Sequence, residues 1–498
     1  MEKNISQDKN QGLKIDKKTL IGITVLLVGI LVFAGVLTQV VPTGVYDTAS
    51  DGSIINGTYH QIERSEVGYS FWRVFLAPIE AFIFATSDAM TGVIIILFIT
   101  IIGGTFLVLD KSGVLKYIMT TIVGKYEKKK YTLLAVMILA CMALSSFAGI
   151  LEESVTLVPL AVAISLSLGW DSFVGLGFSL VAIAFGYSAA TFNPFNIGVV
   201  QSMAGLPMFS GLIYRIIVFA VIYAILAGFL IVYAKRIEKN PKKSLVYESD
   251  FELRKRFLDE EETANALANP RLGKATKSFV LCIGAVFIIT VLSFIGQRVI
   301  QNESITDLLS NLPLISMAIL FTVGGLRAGK ISGMKGKELF SGFIDGAKAI
   351  LPCAPLILFI ISITYVLKRG MIIDTILYYV YNFIKNLGPY ESLIAIFFVI
   401  CIFEFFIGSG TAKAFLLMPI LLPLVDMLTI ERQSLVLTFC LSDGLCNILF
   451  PTSGIMIIAI GLINIPYSKY MRFMWKLFVM EFSAAIILML IAVALGYH

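Results

Sequence analysis

Charged and amide side chains set within otherwise apolar sequence are the residues of this chain best placed to do chemistry. Glu152 and Glu153 stand side by side in SSFAGILEESVTLVPLAVAIS. An ionisable group in a membrane interior costs roughly 2.5–3.5 kcal/mol even on the lenient insertion scale, so its presence there points to function. Two adjacent carboxylates can bind a cation, or one can hold a proton because its neighbour is already charged. Lys413 lies in EFFIGSGTAKAFLLMPILLP beside Ser409 and Thr411, and its ammonium suits either a substrate carboxylate or an internal one. Asp443 precedes Gly444 and Asn447 in SDGLCNILFPTSG, where Thr452 and Ser453 follow Pro451. Asn193 and Asn196 flank Pro194 in TFNPFN. Amides and hydroxyls can coordinate an ion or a substrate without the desolvation penalty of a charge. They can equally satisfy backbone groups that a proline frees, but the recurrence of the pattern at two related positions favours binding. The Asn193/Asn196 and Thr452/Ser453 breaks are where a coupling sodium ion would sit. Glu404 and Asp88 are secondary candidates, since either can lie near an interface.

The elements that position these residues follow from composition. Hydrophobic residues make up 58% of the 498 and charged residues 14%, and the mean hydropathy is +0.89. A bilayer core needs roughly 20 apolar residues per helical crossing. The stretches 20–41, 91–109, 212–233, 278–296 and 476–497 supply them. The ten-residue alternation of a barrel is missing from these runs, and open sheets cannot satisfy their backbone in lipid, so an all-α polytopic membrane protein is expected. Lys3, Lys9, Lys14, Lys17 and Lys18 precede the first apolar run, and no small-residue cleavage site follows it. That run therefore reads as a retained helix with a cytoplasmic N-terminus. Lysines at 111, 116, 125 and 128–130 mark the next basic loop as cytoplasmic, as does the basic stretch that begins at Lys235. The expected setting is a bacterial-type inner membrane.

Laying the residues after Lys130 beside those after Tyr390 reveals an internal repeat. Pro159 and Pro419 fall in register, ATFNPFNIGVV meets ILFPTSGIMII, and the GLP ending at Pro207 meets the NIP ending at Pro466. The loop Ala204–Ile213 is uncharged, whereas its counterpart carries Lys469, Arg472 and Lys476, so the halves read as inverted. The expected organisation is a cytoplasmic N-terminus at 1–19, a first membrane half at 20–234, a cytoplasmic linker at 235–277 and a second half at 278–498. Each half has a re-entrant hairpin (about 131–168 and 391–428) and a discontinuous helix (about 172–204 and 434–464). Paired broken helices of inverted repeats bring half-helix ends and freed backbone groups together at mid-membrane, an arrangement suited to secondary transport. The linker reads as a solvated segment with a short amphipathic helix.

Other functions find little support. The six cysteines sit in apolar runs without metal or redox spacing, and His60 and His498 lie in a polar loop and at the last residue. No metal site of that kind, no cofactor and no enzyme activity is expected. GGLRAGK at 324–330 lacks the closing Ser or Thr of a phosphate loop. The net charge of +6 needs no nucleic acid, because Lys and Arg collect in cytoplasmic loops. A channel would favour four-fold assembly around a repeated filter; two inverted halves in one chain favour alternating access.

The segments EESVTLVPLAVAISLSLGWD, YSAATFNPFNIGVVQSMAGLP and SDGLCNILFPTSGIM, with VVPTGVYD after the first helix, resemble the YfcC family, which is related to the anaerobic four-carbon dicarboxylate carriers. The resemblance covers nearly the whole chain. It implies the ion-transporter superfamily fold, with a scaffold region, a transport region bearing two re-entrant hairpins, and a homodimer. It also implies a small-molecule substrate, arginine/ornithine exchange in some relatives and dicarboxylate transport in a more distant branch. Glu152, Glu153 and Asp443 against a single Lys413 suit a cationic or zwitterionic amino acid better than a dianion. Basic amino-acid antiport therefore ranks first. Proton- or sodium-coupled C4-dicarboxylate transport is the alternative, and H+ or Na+ the expected coupling ion.

Overall fold

The computed structural model describes residues 17–498 apart from 49–53, 56, 85, 153, 258–266 and 300–302. Among the described residues eight helices are long and apolar enough to cross a membrane, or up to ten if each sharply bent pair forms one span. The sheet content is a two-residue ladder pairing Gly44–Val45 with His60–Gln61. The chain is thus an all-α, multi-pass membrane protein, as its composition requires.

One group of helices comprises Thr86–Lys111, Leu272–Val299, Glu303–Ser332 and Gly336–Ile350. It packs through small residues, because without water between helices their association rests on close approach and interhelical hydrogen bonds. Gly103 and Gly104 face Gly346 so closely that a Cβ on Gly346 would lie 2.4 Å from the Gly103 carbonyl oxygen. Thr105 Oγ1 donates to Thr322 Oγ1 at 3.2 Å.

A second group carries the breaks. The first hairpin has arms Lys130–Ala148 and Ser154–Ser167. Gly149 ends the first arm at φ +72°, its N–H donating to the Ser145 carbonyl, a left-handed cap that glycine adopts without strain. The first broken helix runs through Ser172–Leu176, a π turn Gly177–Val181 and Ala182–Ser188, then resumes as a π turn Pro194–Gly198 and Val199–Met203. The second hairpin has arms Pro389–Phe406 and Gly410–Met427, and the second broken helix comprises Arg432–Cys446 and Gly454–Leu462.

Two long helices, Leu212–Lys239 and Tyr467–Ala494, flank these elements. They run antiparallel, since Tyr214 Oη donates to Leu488 O at 2.5 Å while the rings of Tyr233 and Phe473 lie 4.8 Å apart. The broken helices cross backbone to backbone: a Cβ on Gly444 would fall 2.3 Å from Ser188 Cα. Ser188 Oγ donates to Leu441 O across the same crossing at 3.0 Å.

The connection between the halves departs from the expected solvated linker. Asp250, at the start of the helix Asp250–Phe257, has no exposed surface and accepts from the Ser172 N–H at 2.8 Å and from the Ser172 hydroxyl. Asp171 caps Val174 and accepts from Tyr233 Oη and Ser244 Oγ, both at 2.6 Å. Arg254 donates to the Trp170 carbonyl. Burying Asp250 requires those donors, so this stretch is fastened to the base of the first broken helix. Residues 258–266 of the expected linker lie outside the described residues.

Candidate functional site

At the first break the two amides divide their capacity between backbone and open space. Asn193 Oδ1 accepts from the N–H groups of Phe195 (2.9 Å) and Asn196 (3.2 Å), and Asn196 Nδ2 donates to Tyr187 O at 3.3 Å. These bonds re-satisfy backbone freed by Pro194. Among the described residues Asn193 Nδ2 and Asn196 Oδ1 are left without partners, although the residues are 0% and 1% exposed. Buried polar atoms are rarely left so. The hairpin tip closes over the break: a Cβ on Gly149 would lie 2.5 Å from Asn193 Oδ1. Ser146 Oγ donates to Ala189 O at 2.8 Å and receives the Thr191 N–H at 3.1 Å. Glu152 is exposed at this tip, and Glu153 lies outside the described residues. The expectation of an acidic pair therefore rests here on Glu152 alone.

The second hairpin reaches across to the first half. Thr411 Oγ1 donates to Phe195 O at 3.4 Å, and Ser409 Oγ caps its arm by accepting from Ala412 N–H at 3.3 Å. Lys413, with no exposed surface, pairs through Nζ with Asp443 Oδ1 at 2.6 Å and with Glu404 Oε2. Gly410 is tucked against the same carboxylate, 2.9 Å from Asp443 Oδ2 to a would-be Cβ. Of the two roles open to Lys413, internal pairing is the one formed. Glu404, a secondary candidate in the sequence, is 3% exposed and belongs to this cluster; a lone acid within the apolar run IAIFFVICIFEFF was the available signal. The side chain of Asp88 lies outside the described residues.

The remaining predicted residues divide. Asn447 Nδ2 donates to its own helix at Asp443 O, 3.1 Å away. Ser453 Oγ caps Gly454–Leu462, accepting from Met456 N–H at 3.4 Å. Thr452 Oγ1 is buried without a partner among the described residues. Among the described residues no hydrogen bond joins Thr452 or Ser453 to Asn193 or Asn196. Lys413, Thr411, Asp443, Asn193 and Asn196 thus form one region where the second hairpin meets both broken helices, whereas Thr452 and Ser453 stand on their own turn.

Two further ionisable residues were passed over in the sequence. Arg215, in the first turn of Leu212–Lys239, is 2% exposed; at the edge of an apolar run it is indistinguishable from an interfacial anchor. Glu481, midway along Tyr467–Ala494, has no exposed surface, and among the described residues neither oxygen has a partner. Its place inside the run MWKLFVMEFSAAIILML was a readable signal.

The profile of the DcuC family, C4-dicarboxylate anaerobic carriers, matches residues 20–494. The chain is 24% identical over 506 residues to YfcC of Escherichia coli K12, named there as a candidate basic amino acid antiporter, with 95% of this chain and 96% of that protein covered. Among solved structures it is similar to the YdaH transporter of Alcanivorax borkumensis, at 15% identity and a TM-score of 0.46, covering 95% of this chain and 98% of that one. It is also similar to MtrF of Neisseria gonorrhoeae, described with a class of antimetabolite efflux pumps, at 17% identity and a TM-score of 0.45, with 95% of each chain covered.

Proposed function

We propose a function for a chain that belongs to the DcuC family of C4-dicarboxylate anaerobic carriers: secondary-active exchange of basic amino acids of the arginine and ornithine type by alternating access. Membership of this transporter family makes the chain a membrane carrier and not an enzyme. The substrate reading rests chiefly on the buried cluster in which Glu404 and Asp443 outnumber Lys413 by two to one. With all three ionised the cluster carries an excess negative charge, which favours a cationic group arriving at the helix breaks. The unpartnered Asn193 Nδ2 and Asn196 Oδ1 offer a donor and an acceptor beside it.

In this reading the two halves act as inverted repeats, the hairpins and broken helices moving against the glycine-packed helix group. The protein works as a homodimer in a bacterial inner membrane with its N-terminus in the cytoplasm, and H+ or Na+ is the ion that would couple transport if exchange is not strict. The second reading, proton- or sodium-coupled dicarboxylate transport, draws support from the matched family's description and from the buried cations Lys413 and Arg215.

Uptake of labelled arginine by proteoliposomes loaded with ornithine tests the assignment, with labelled succinate and succinate-loaded vesicles in parallel. Arginine entry dependent on internal ornithine is expected. Succinate entry without an arginine signal would overturn the amino-acid reading in favour of the second.

A further inference from the structure

Arg215 is the buried cation for which the charge cluster provides no carboxylate. The residue is 2% exposed, yet among the described residues Nε and Nη1 have no hydrogen-bond partner. Nη2 donates to the Thr191 carbonyl at 3.5 Å. Its ionisable neighbours are the Cys440 thiol and the Tyr497 phenol, whose oxygen accepts from the guanidinium while its own proton goes to Gly211 O at 2.7 Å; neither is a carboxylate. A guanidinium presents five N–H donors in a planar fork matched to a carboxylate, and most of this fork is unused. Burying such a charge without a counter-ion is strongly unfavourable, so the position is costly unless an anion comes to it.

Its surroundings tie it to the breaks. Thr191 belongs to the gap in the first broken helix and is held by Ser146 of the first hairpin. Cys440 lies within the field of both Arg215 and Asp443; it precedes Asp443 by three residues on Arg432–Cys446, or about 4.5 Å along the axis. The guanidinium and the Glu404–Lys413–Asp443 cluster therefore flank one helical turn, cation toward the Arg432 end and excess negative charge toward the break.

We propose that Arg215 binds the carboxylate of the transported solute while the Glu404–Asp443 side receives its cationic group, so that the pair recognises an α-amino acid by its two opposite charges. The inference rests on the amino-acid reading for the ammonium, but the role of Arg215 requires only that the solute carry a carboxylate. A diamine lacking the carboxylate is excluded because it leaves the guanidinium unpaired, and a buried polar group left unpaired discriminates strongly between ligands.

The test compares arginine with agmatine, its decarboxylated analogue, in wild-type and Arg215→Gln proteoliposomes. In the wild type arginine is favoured in kcat/KM. In Arg215→Gln arginine uptake falls on the order of 10- to 100-fold, the size expected for loss of a charged hydrogen bond, while agmatine uptake is unchanged and Arg215→Lys is intermediate. A folded Arg215→Gln protein that keeps the wild-type arginine-to-agmatine ratio overturns the proposal. Should that variant not fold, the wild type decides alone: thermal stabilisation by arginine and not by agmatine supports the assignment, and equal stabilisation by both refutes it. If succinate is carried and arginine is not, the amino-acid reading falls separately. The same comparison, succinate against succinamide, then decides Arg215.

Discussion

Lys413 and Glu481 are both ionisable and both without exposed surface, yet their surroundings predict opposite consequences of removal. Lys413 is paired with Glu404 and Asp443, so Lys413→Met leaves two carboxylates facing each other in a dry site. Breaking a buried pair from one side costs about 3–5 kcal/mol, and the variant is expected to melt several degrees below the wild type in detergent. Adding Glu404→Gln removes one of the stranded charges and should recover part of the loss. Among the described residues Glu481 has no partner to strand, so Glu481→Met is expected to leave the melting temperature unchanged or raise it, by the equivalent of about 1–3 kcal/mol. A destabilised Glu481→Met protein, or an unaffected Lys413→Met protein, would refute this view of the two sites. The contrast also marks how far residue-level reading reaches. An acid or base within an apolar run was visible as costly in the sequence, which led to Asp443 and Lys413. Who pairs with whom was not visible, because Glu404, Lys413 and Asp443 sit on three helices that only packing brings together.

Elements were more legible where the chain breaks than where it bends. Gly149, Ser409 and Pro194 announce interruptions through local chemistry, namely left-handed backbone, a capping hydroxyl and a missing N–H. The helix ends Ala148, Ser188 and Phe406 fall close to those interruptions. The π turn Gly177–Val181, by contrast, carries no such signature. The docking of Asp250–Phe257 was equally hidden, because a mixed-charge helix reads as solvated until its partners are known. That docking depends on pH. Burial first, and then the neighbouring Asp171 carboxylate, push the Asp250 carboxyl up to about 7, against the opposing pull of its Ser172 hydrogen bonds and Arg254. Docked Asp250 therefore holds a proton that the free segment releases above about pH 4. The contact is strongest below that pH, weakens as pH rises toward 7 and gains nothing further from this group above it. Hydrogen exchange of the Asp250–Phe257 amides, corrected for intrinsic rate, should accelerate between pH 5 and 7.5, and Asp250→Asn should flatten the profile. A wild-type profile without slope would remove Asp250 as the titrating group.

At the scale of the whole molecule, hydropathy was sufficient for the all-α, many-spanning architecture, because lipid leaves a chain of this composition few alternatives. The grouping of its helices was not, since Gly103 meeting Gly346 and Gly444 meeting Ser188 are contacts between distant stretches whose small residues look unremarkable in sequence. The four buried charges near the crossing have an electrical consequence for transport as a whole. With Lys413 and Arg215 positive and Glu404 and Asp443 negative, the unloaded set sums to zero, so its displacement across a membrane potential does no net work. Each uncompensated charge carried through would cost or yield about 2.3 kcal/mol per 100 mV. One-for-one exchange of arginine for ornithine, each a monocation, is then expected to reach the same final distribution of the two amino acids with and without an imposed potassium diffusion potential, because the charge moved in one half-cycle is returned in the other. Movement of a lone dicarboxylate through the same site would be driven or stalled by that voltage. The protein's own charges would thus leave the energetics of each half-cycle to the cargo, making the carrier a meter of what it carries and not of the potential it spans.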